Sequence, residues 1–461
     1  MSDLSNTPAG EHPSPAGSED LETFRAGFYG CLSAWPDALF ELCDAALCAP
    51  APVTSVPTLS LEPVFRRSHG SLYKCLARGA IDVGQLRRLL VSHRPPGWPL
   101  VFAVDASTWA RCDAETSPQR GFYYSASQHS AGQPIVAGWS YQWITQLDWA
   151  ADSWTAPLDV ARIAPQDNAS SATIAQVRRL VELLPDDAQA PLFVFDAGYD
   201  PIALTDALAD TRAQIVVRIR GDRVFHTDPE PPAPGTAGRP RRHGRRFGCA
   251  DDPASWPEPD DHLSATDSRY GTVTVTAWTD LHPKLAGRGR WANHDVPPIV
   301  HGTVIRVQVQ HLPKPTARAT KTLWLWASGP NGTVDIDVAW RAYLRRFDIE
   351  HTFRFVKNTL GWTAPALRTP EQADRWTWLI LAAYTQLRLA RGLIADNRLP
   401  WQRPRAPDKL TPARIRRGFP RLRAHLGTPA SAPKSKTAGP GRPKNTPRPP
   451  RTRYPAIKKA A

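Results

Sequence analysis

Two short runs constrain this chain more than any other feature: Pro99-Leu-Val-Phe-Ala-Val-Asp105 and Pro191-Leu-Phe-Val-Phe-Asp196. Both are continuously apolar, without the polar alternation of a half-exposed strand, which marks strands covered on both faces. Each run stops at a carboxylate, so each delivers a polar group to the carboxyl end of a buried strand. Such strands belong in a layered α/β fold with helices over a sheet. A lone acid after a strand ordinarily makes a turn or caps a helix; two of them call for a shared purpose.

A third acid supplies it. The segment Tyr343-Leu-Arg-Arg-Phe-Asp-Ile-Glu-His-Thr-Phe-Arg-Phe-Val-Lys357, read as one helix at ~100° per residue, places Tyr343, Arg346, Glu350 and Lys357 within an arc of about 60°. Arg354 falls beside that arc and Arg345 on the opposite side, toward solvent. A face with one carboxylate, two cations and a phenol suits a phosphate-rich ligand beside a divalent cation. On its own it is equally a solvated face with incidental i,i+4 pairs. Four further acids compete for attention. Asp200, followed by Pro201, reads as the start of the next helix, and Asp113, Glu115 and Asp348 are neighbours of the candidates rather than candidates themselves.

The order Asp105, Asp196, Glu350, with Tyr343-x2-Arg346-x3-Glu350-x6-Lys357 around the last acid, resembles the DDE transposases of bacterial insertion sequences that carry the Tyr-Arg-Glu-Lys signature. The segment Arg67-Ser-His-Gly-Ser-Leu-Tyr73 is similar to the N-terminal region of that family. The resemblance implies an α/β, ribonuclease-H-like catalytic core whose three acids gather at one end of a mixed sheet. It implies two Mg2+ ions, with Mn2+ as a substitute, held by Asp105, Asp196 and Glu350. It also implies that Tyr343, Arg346 and Lys357 grip DNA at the scissile phosphate, a set that Arg354 can join by its place on the helix. The implied partners are transposon terminal inverted repeats and target DNA, with a homodimer bridging two ends. The chemistry is coherent: hard carboxylate oxygens suit Mg2+, and a pair of such ions can serve both the attacking and the leaving oxygen of a phosphodiester.

Charge points the same way. The chain carries a net +14, and 17 of its 57 Lys and Arg lie from Trp401 onward against Asp408 alone, so the basic character is concentrated in the tail, as polyanion binders have it. Within the tail, Gly439-Pro-Gly-Arg-Pro-Lys444 is similar to the Gly-Arg-Pro core of AT-hook peptides, making Arg442 a minor-groove candidate. A second basic stretch, Gly238-Arg-Pro-Arg-Arg-His-Gly-Arg-Arg246, reads as a mobile loop offering Arg241, Arg242 and Arg245 to phosphates. Six cysteines without a CxxC pair read as reduced thiols. With neither a signal-like start nor an apolar span, the expected location is the bacterial cytoplasm, at the nucleoid, with no membrane contact.

Along the chain, residues 1–20 read as disordered, 21–96 as a helical DNA-binding domain, and 97–220 as the first part of the core. Within that part, Gln133 to Leu147 reads as two or more antiparallel strands, followed by helices at Ser170–Leu184 and Pro201–Ala209 and a strand at Ala213–Arg220. About 150 residues separate Asp196 from Glu350, too many for an ordinary connection. The β-patterned runs Thr272–Thr279, Ile299–Gln310 and Thr322–Ala327 predict a mainly β insertion domain at 221–328. Residues 329–400 complete the core with the signature helix and an apolar helix at Glu371–Leu393, and 401–461 form a basic disordered tail with a short helix at Thr411–Leu426. The function expected is strand cleavage and strand transfer at insertion-sequence ends. The alternatives are a ribonuclease-H-like nuclease or resolvase, which would not need Tyr343, Arg346 and Lys357, and an inactive transposase-derived DNA-binding protein, against which the three intact acids argue.

Overall fold

The computed structural model describes residues 15–458 apart from 125–133, 151, 153, 168, 187–188, 232–238, 313–319, 333, 435–444, 446 and 448–449. Five helices come first: α1 (Pro15–Gly30), α2 (Pro36–Cys48), α3 (Val56–Leu59), α4 (His69–Arg78) and α5 (Val83–Ser92), with β1 (Leu32–Ala34) and β2 (Ala80–Ile81) paired between them. Prolines in the first turns of α2 and α3 cost no backbone bond there, and Asp82 caps α5 by accepting from Gln85 N. Because α1 begins at Pro15, the expected disorder up to residue 20 does not extend that far.

The sheet follows with β3 (Val101–Ala110), β4 (Gly121–Tyr124), β5 (Ile135–Gln146), β6 (Ala156–Ile163), α6 (Ala169–Leu183), β7 (Leu192–Phe195), α7 (Pro201–Leu208) and β8 (Gln214–Ile219). Its central order is β6-β5-β3-β7-β8, with β3–β7 and β7–β8 parallel and the pairings of β5 antiparallel. Mixed pairing of this kind around a central first strand is consistent with a ribonuclease-H-like fold. Two strand readings need correction. The described part of Gln133–Leu147 is the single long strand β5, and β6 was not anticipated. The reason is burial: β5 sends Tyr141 and Trp143 to one face, against Trp362 and Phe353, and Gln142 to the other, against Thr173 and Gln176 of α6. With both faces covered, the strand loses its alternation.

Next come β9 (Val224–His226), β10 (Arg246–Gly248), β11 (Asp261–Asp267), β12 (Gly271–Leu281), β13 (Gly302–Val309) and β14 (Thr322–Ser328). The long strands among them do not form a sheet of their own. β14 pairs antiparallel with β8, so β14-β13-β12-β11 prolong the central sheet to ten strands among the described residues. The edge of β8, which would otherwise leave unpaired amides, is thereby closed. A separate apolar cluster of Phe225, Phe247, Trp278, Trp324 and Trp326 anchors β9 and β10 to this extension.

The chain ends with α8 (Ile336–Arg345), α9 (Asp348–Asn358), α10 (Pro370–Leu389) and α11 (Pro412–Leu426). Thr369 and Gln372 form a capping box on α10. Its buried Trp376, Leu379, Tyr384 and Leu387 join the strands and the N-terminal helices in one main core. The short helix expected at Thr411–Leu426 is α11, but it packs into the core instead of standing in a disordered tail. Arg423 pairs with buried Asp44 at 2.5 Å, Arg416 Nε donates to Ala46 O, and Phe419 is fully buried. Asp44 in turn binds Arg25 of α1 at 2.7 Å, and Arg25 reaches Gln386 of α10. Farther on, Tyr454 N and Ile457 N donate to Glu115 O and Arg120 O. Basic composition concealed these segments because their arginines satisfy buried carboxylates and carbonyls instead of meeting solvent. Among the described residues no helix is long and apolar enough to cross a membrane.

Candidate active site

The site starts from a register. β3 and β7 run parallel with Val101 beside Leu192, Phe102 beside Phe193 and Ala103 beside Val194. Carried two residues further, the same offset sets Asp105 beside Asp196, just past the end of β7. Contrary to the sequence reading, β3 does not stop at its acid but continues to Ala110 along β5. Asp105 therefore sits mid-strand, where its parallel neighbour ends and the sheet opens. Backbone amides orient one oxygen of each aspartate: Ala106 N donates to Asp105 Oδ1 and Gly198 N to Asp196 Oδ1, both at 2.8 Å.

Glu350 arrives from α9, which packs over β3. The predicted single helix is interrupted, because α8 ends at Arg345 and α9 starts at Asp348. Across the join Arg346 N donates to both Ala342 O and Tyr343 O, while Ile349 N and Glu350 N reach only three residues back. This overwound turn rotates Glu350 and Lys357 relative to Tyr343 by more than a uniform helix would. It also makes Glu350 a first-turn residue of α9, where the positive end of the helix dipole favours a carboxylate.

Charge coupling ties the three acids together. Burial raises the Asp105 carboxyl to about 7; Arg346 opposes that shift, while Asp196 and Glu350 add to it. Arg346 Nη1 lies 3.2 Å from Asp105 Oδ2. Burial works against the Arg346 guanidinium, yet Asp105, Tyr343, Asp196 and Glu350 together hold it above its ordinary value. It stacks 5.8 Å from the Tyr343 ring centroid, and its buried Nε has no hydrogen-bond partner. Burial lowers the Lys357 ammonium against the pull of Glu350 and Asp105, and Nζ lies 5.7 Å from the Trp362 ring centroid.

The acids are neighbours without collapsing onto one point: their oxygens do not all come within 4.8 Å of one another. The donor set fits divalent cations, since all three groups are hard oxygens and their mutual repulsion is offset by only Arg346 and Lys357.

A match to the family model described as DDE superfamily endonuclease covers residues 27–284, more than half of the chain, and includes Asp105 and Asp196. The chain belongs to the DDE superfamily endonucleases. No curated protein matches it. Endonucleases of this superfamily are generally dependent on divalent metal, which accords with the donor set, and the family implies a DNA substrate.

Other predicted residues divide. Asp200 caps α7 as expected, accepting from Ile202 N at 3.0 Å and Ala203 N at 3.2 Å. Asp113 pairs with Arg111 and Glu115 with Arg453. Arg354 is exposed on α9. Arg345 does not face solvent: it donates to Asp148 O and Asp152 O and pairs with Asp348 at 2.7 Å. The described part of the arginine loop is tethered, with Arg242 donating to Pro297 O and Arg245 to Ser255 O, which leaves Arg241 exposed. Arg442 lies outside the described residues. Two aromatic residues at the site were not foreseen. Tyr199 is kept a neutral phenol by burial, then by Asp105 and Asp196, and Trp362 supports Lys357. The apolar-Asp-Ala-Gly-Tyr sequence at 196–199 was the available signal for Tyr199; Trp362 carried none.

Proposed function

We propose that this endonuclease is the transposase of a bacterial insertion sequence with the Tyr-Arg-Glu-Lys signature, cutting the ends of its element and joining the freed 3′-hydroxyls to target DNA. The observation that supports this reading is the contact of Arg346 Nη1 with Asp105 Oδ2 at 3.2 Å, with Glu350 four residues farther on and Asp196 just past β7, the parallel neighbour of β3. A plain nuclease needs the acids but not a buried arginine with an orphan Nε among them.

Asp105, Asp196 and Glu350 are the ligands of a Mg2+ pair, for which Mn2+ can substitute. Bound there, the ions would polarise the scissile phosphodiester and acidify the attacking water or hydroxyl. Arg346 neutralises Asp105 in the metal-free protein and turns its guanidinium to a phosphate oxygen when DNA enters, a geometry that arginine satisfies better than lysine. Tyr343 holds the guanidinium by its ring face, and Lys357 adds a second cation to the phosphate channel. Arg354, Arg241, Arg242 and Arg245 extend phosphate contact outward, and Arg442 adds affinity from the tail. Joining two ends requires two active sites, so the working species is a DNA-bridged homodimer acting at the nucleoid.

Purified chain, Mg2+ and a fragment carrying the DNA that flanks its coding region test this. The expected products are 3′-hydroxyl ends at the borders of short inverted repeats and fragments joined covalently into a target plasmid. Nicking without joined products would replace the transposase reading with that of a nuclease.

A further inference from the structure

Beyond the acidic cluster, four histidines and an aspartate meet where the insertion folds back on itself. His226 closes β9 and its backbone exchanges two hydrogen bonds with His282, just past β12. Asp228 follows β9, His301 precedes β13, and His243 comes from the arginine loop. No reaction assigned to Asp105, Asp196 and Glu350 uses these residues.

We propose that Asp228, His282 and His301 bind a divalent transition-metal ion of the zinc type, distinct from the site of the three acids. One ligand atom from each lies within 4.8 Å of the others, the only such trio of His, Cys, Asp or Glu among the described residues. The donor set of two imidazoles and a carboxylate suits Zn2+ or Co2+ rather than Mg2+.

The spacing of the ligand atoms is what points to a cation. His282 is fully buried, and its Nε2 lies 2.9 Å from His243 Nδ1. Its other nitrogen, Nδ1, faces Asp228 Oδ1 at 3.5 Å, too far for a good hydrogen bond, and stands without a partner. In the tautomer with its proton on Nε2, His282 donates to His243 and presents the Nδ1 lone pair to the space beside Asp228, where a cation would be held by both. The separation is close to the edge of a tetrahedron whose ligands are about 2.0–2.1 Å from its centre, roughly 3.4 Å. The contact of His301 Nε2 with Asp228 Oδ1, 2.9 Å, would open by about half an ångström to the same edge. The Asp228 and His301 side chains are 62% and 39% exposed, so the ion has an entry path and an open fourth position. His243 orients the buried ligand through its second nitrogen, as outer partners of metal-bound histidines do. Since His243 lies between Arg242 and Arg245, the ion also fixes the arginine loop.

The test uses the full-length protein stripped with chelator and titrated with Co2+, read by visible absorption and by equilibrium dialysis. Wild type should show the strong absorption of one four-coordinate cobalt ion, displaced by Zn2+, beside any Co2+ taken up by the three acids. Asp228→Asn and His301→Ala change exposed side chains, spare the buried His282, and should abolish that band. His243→Ala should weaken binding by about 10- to 100-fold. Asp196→Asn, which disables the acidic cluster, should leave the band intact. A wild-type band in both Asp228→Asn and His301→Ala, its loss in Asp196→Asn, or its absence from wild type would overturn the proposal.

Discussion

At the residue scale the site rests on competition for one proton. A free aspartate ionises near 3.8, whereas Asp105 in the folded, metal-free protein does so near 7, raised first by burial and then by its acidic neighbours. Between those values the folded chain binds more protons than the unfolded one. The Asp105 contribution to stability is therefore complete below about pH 4 and is lost as the pH rises through 7. We expect Asp105→Asn to flatten the pH dependence of metal-free stability across that window, as measured by urea denaturation in chelator. An unchanged slope would show that Asp105 is not the group being titrated. Divalent cations should stabilise the wild type most above pH 7, where the ionised cluster is least compensated.

The segment from Tyr343 to Lys357 shows, at the element scale, what sequence can and cannot disclose. Spacing alone was enough to bring Tyr343, Arg346 and Glu350 toward the aspartates, because side chains three and four apart share a face whether or not a turn tightens between them. The break at Arg346 and Phe347 was not legible, since both residues keep right-handed helical angles and only the hydrogen-bond pattern shifts. Nor was the fate of Arg345, which depends on the carbonyls of Asp148 and Asp152, nearly two hundred positions earlier in the chain. Those contacts clamp the join between α8 and α9. Arg345→Ala should cost roughly 2–4 kcal/mol of stability by leaving buried Asp348 unpaired. Its carboxyl, already raised to about 6 by burial against the opposing pull of Arg345, would rise further. Equal denaturation midpoints for wild type and variant would contradict the clamp.

Across the whole molecule, many of the strands were readable from runs of buried apolar and β-branched residues, whereas the pairing of those strands and the boundaries between units were not. The long insertion strands continue the central sheet, and α1, α2, α10 and α11 share one core. Composition misled at the C-terminus because α11 uses arginines as buried partners of Asp44 and Asp396. Truncation after Pro400 should therefore destabilise the fold by at least about 3–5 kcal/mol, the scale of a broken buried ion pair. Removing 435–461 instead should leave the main core intact and lower the salt dependence of DNA binding. A chain ending at Pro400 that unfolds like the full-length protein would contradict the packing of α11.

All of this turns on whether Asp105, Asp196 and Glu350 act together on a phosphodiester, and Glu350→Gln asks that most directly, since it removes a charge and little else. The measurement is Mg2+-dependent nicking of a supercoiled plasmid carrying the DNA that flanks the coding region, with DNA binding assayed in parallel. Wild type should nick and Glu350→Gln should not, at nearly equal DNA affinity. Nicking by the variant at the wild-type rate would contradict the account.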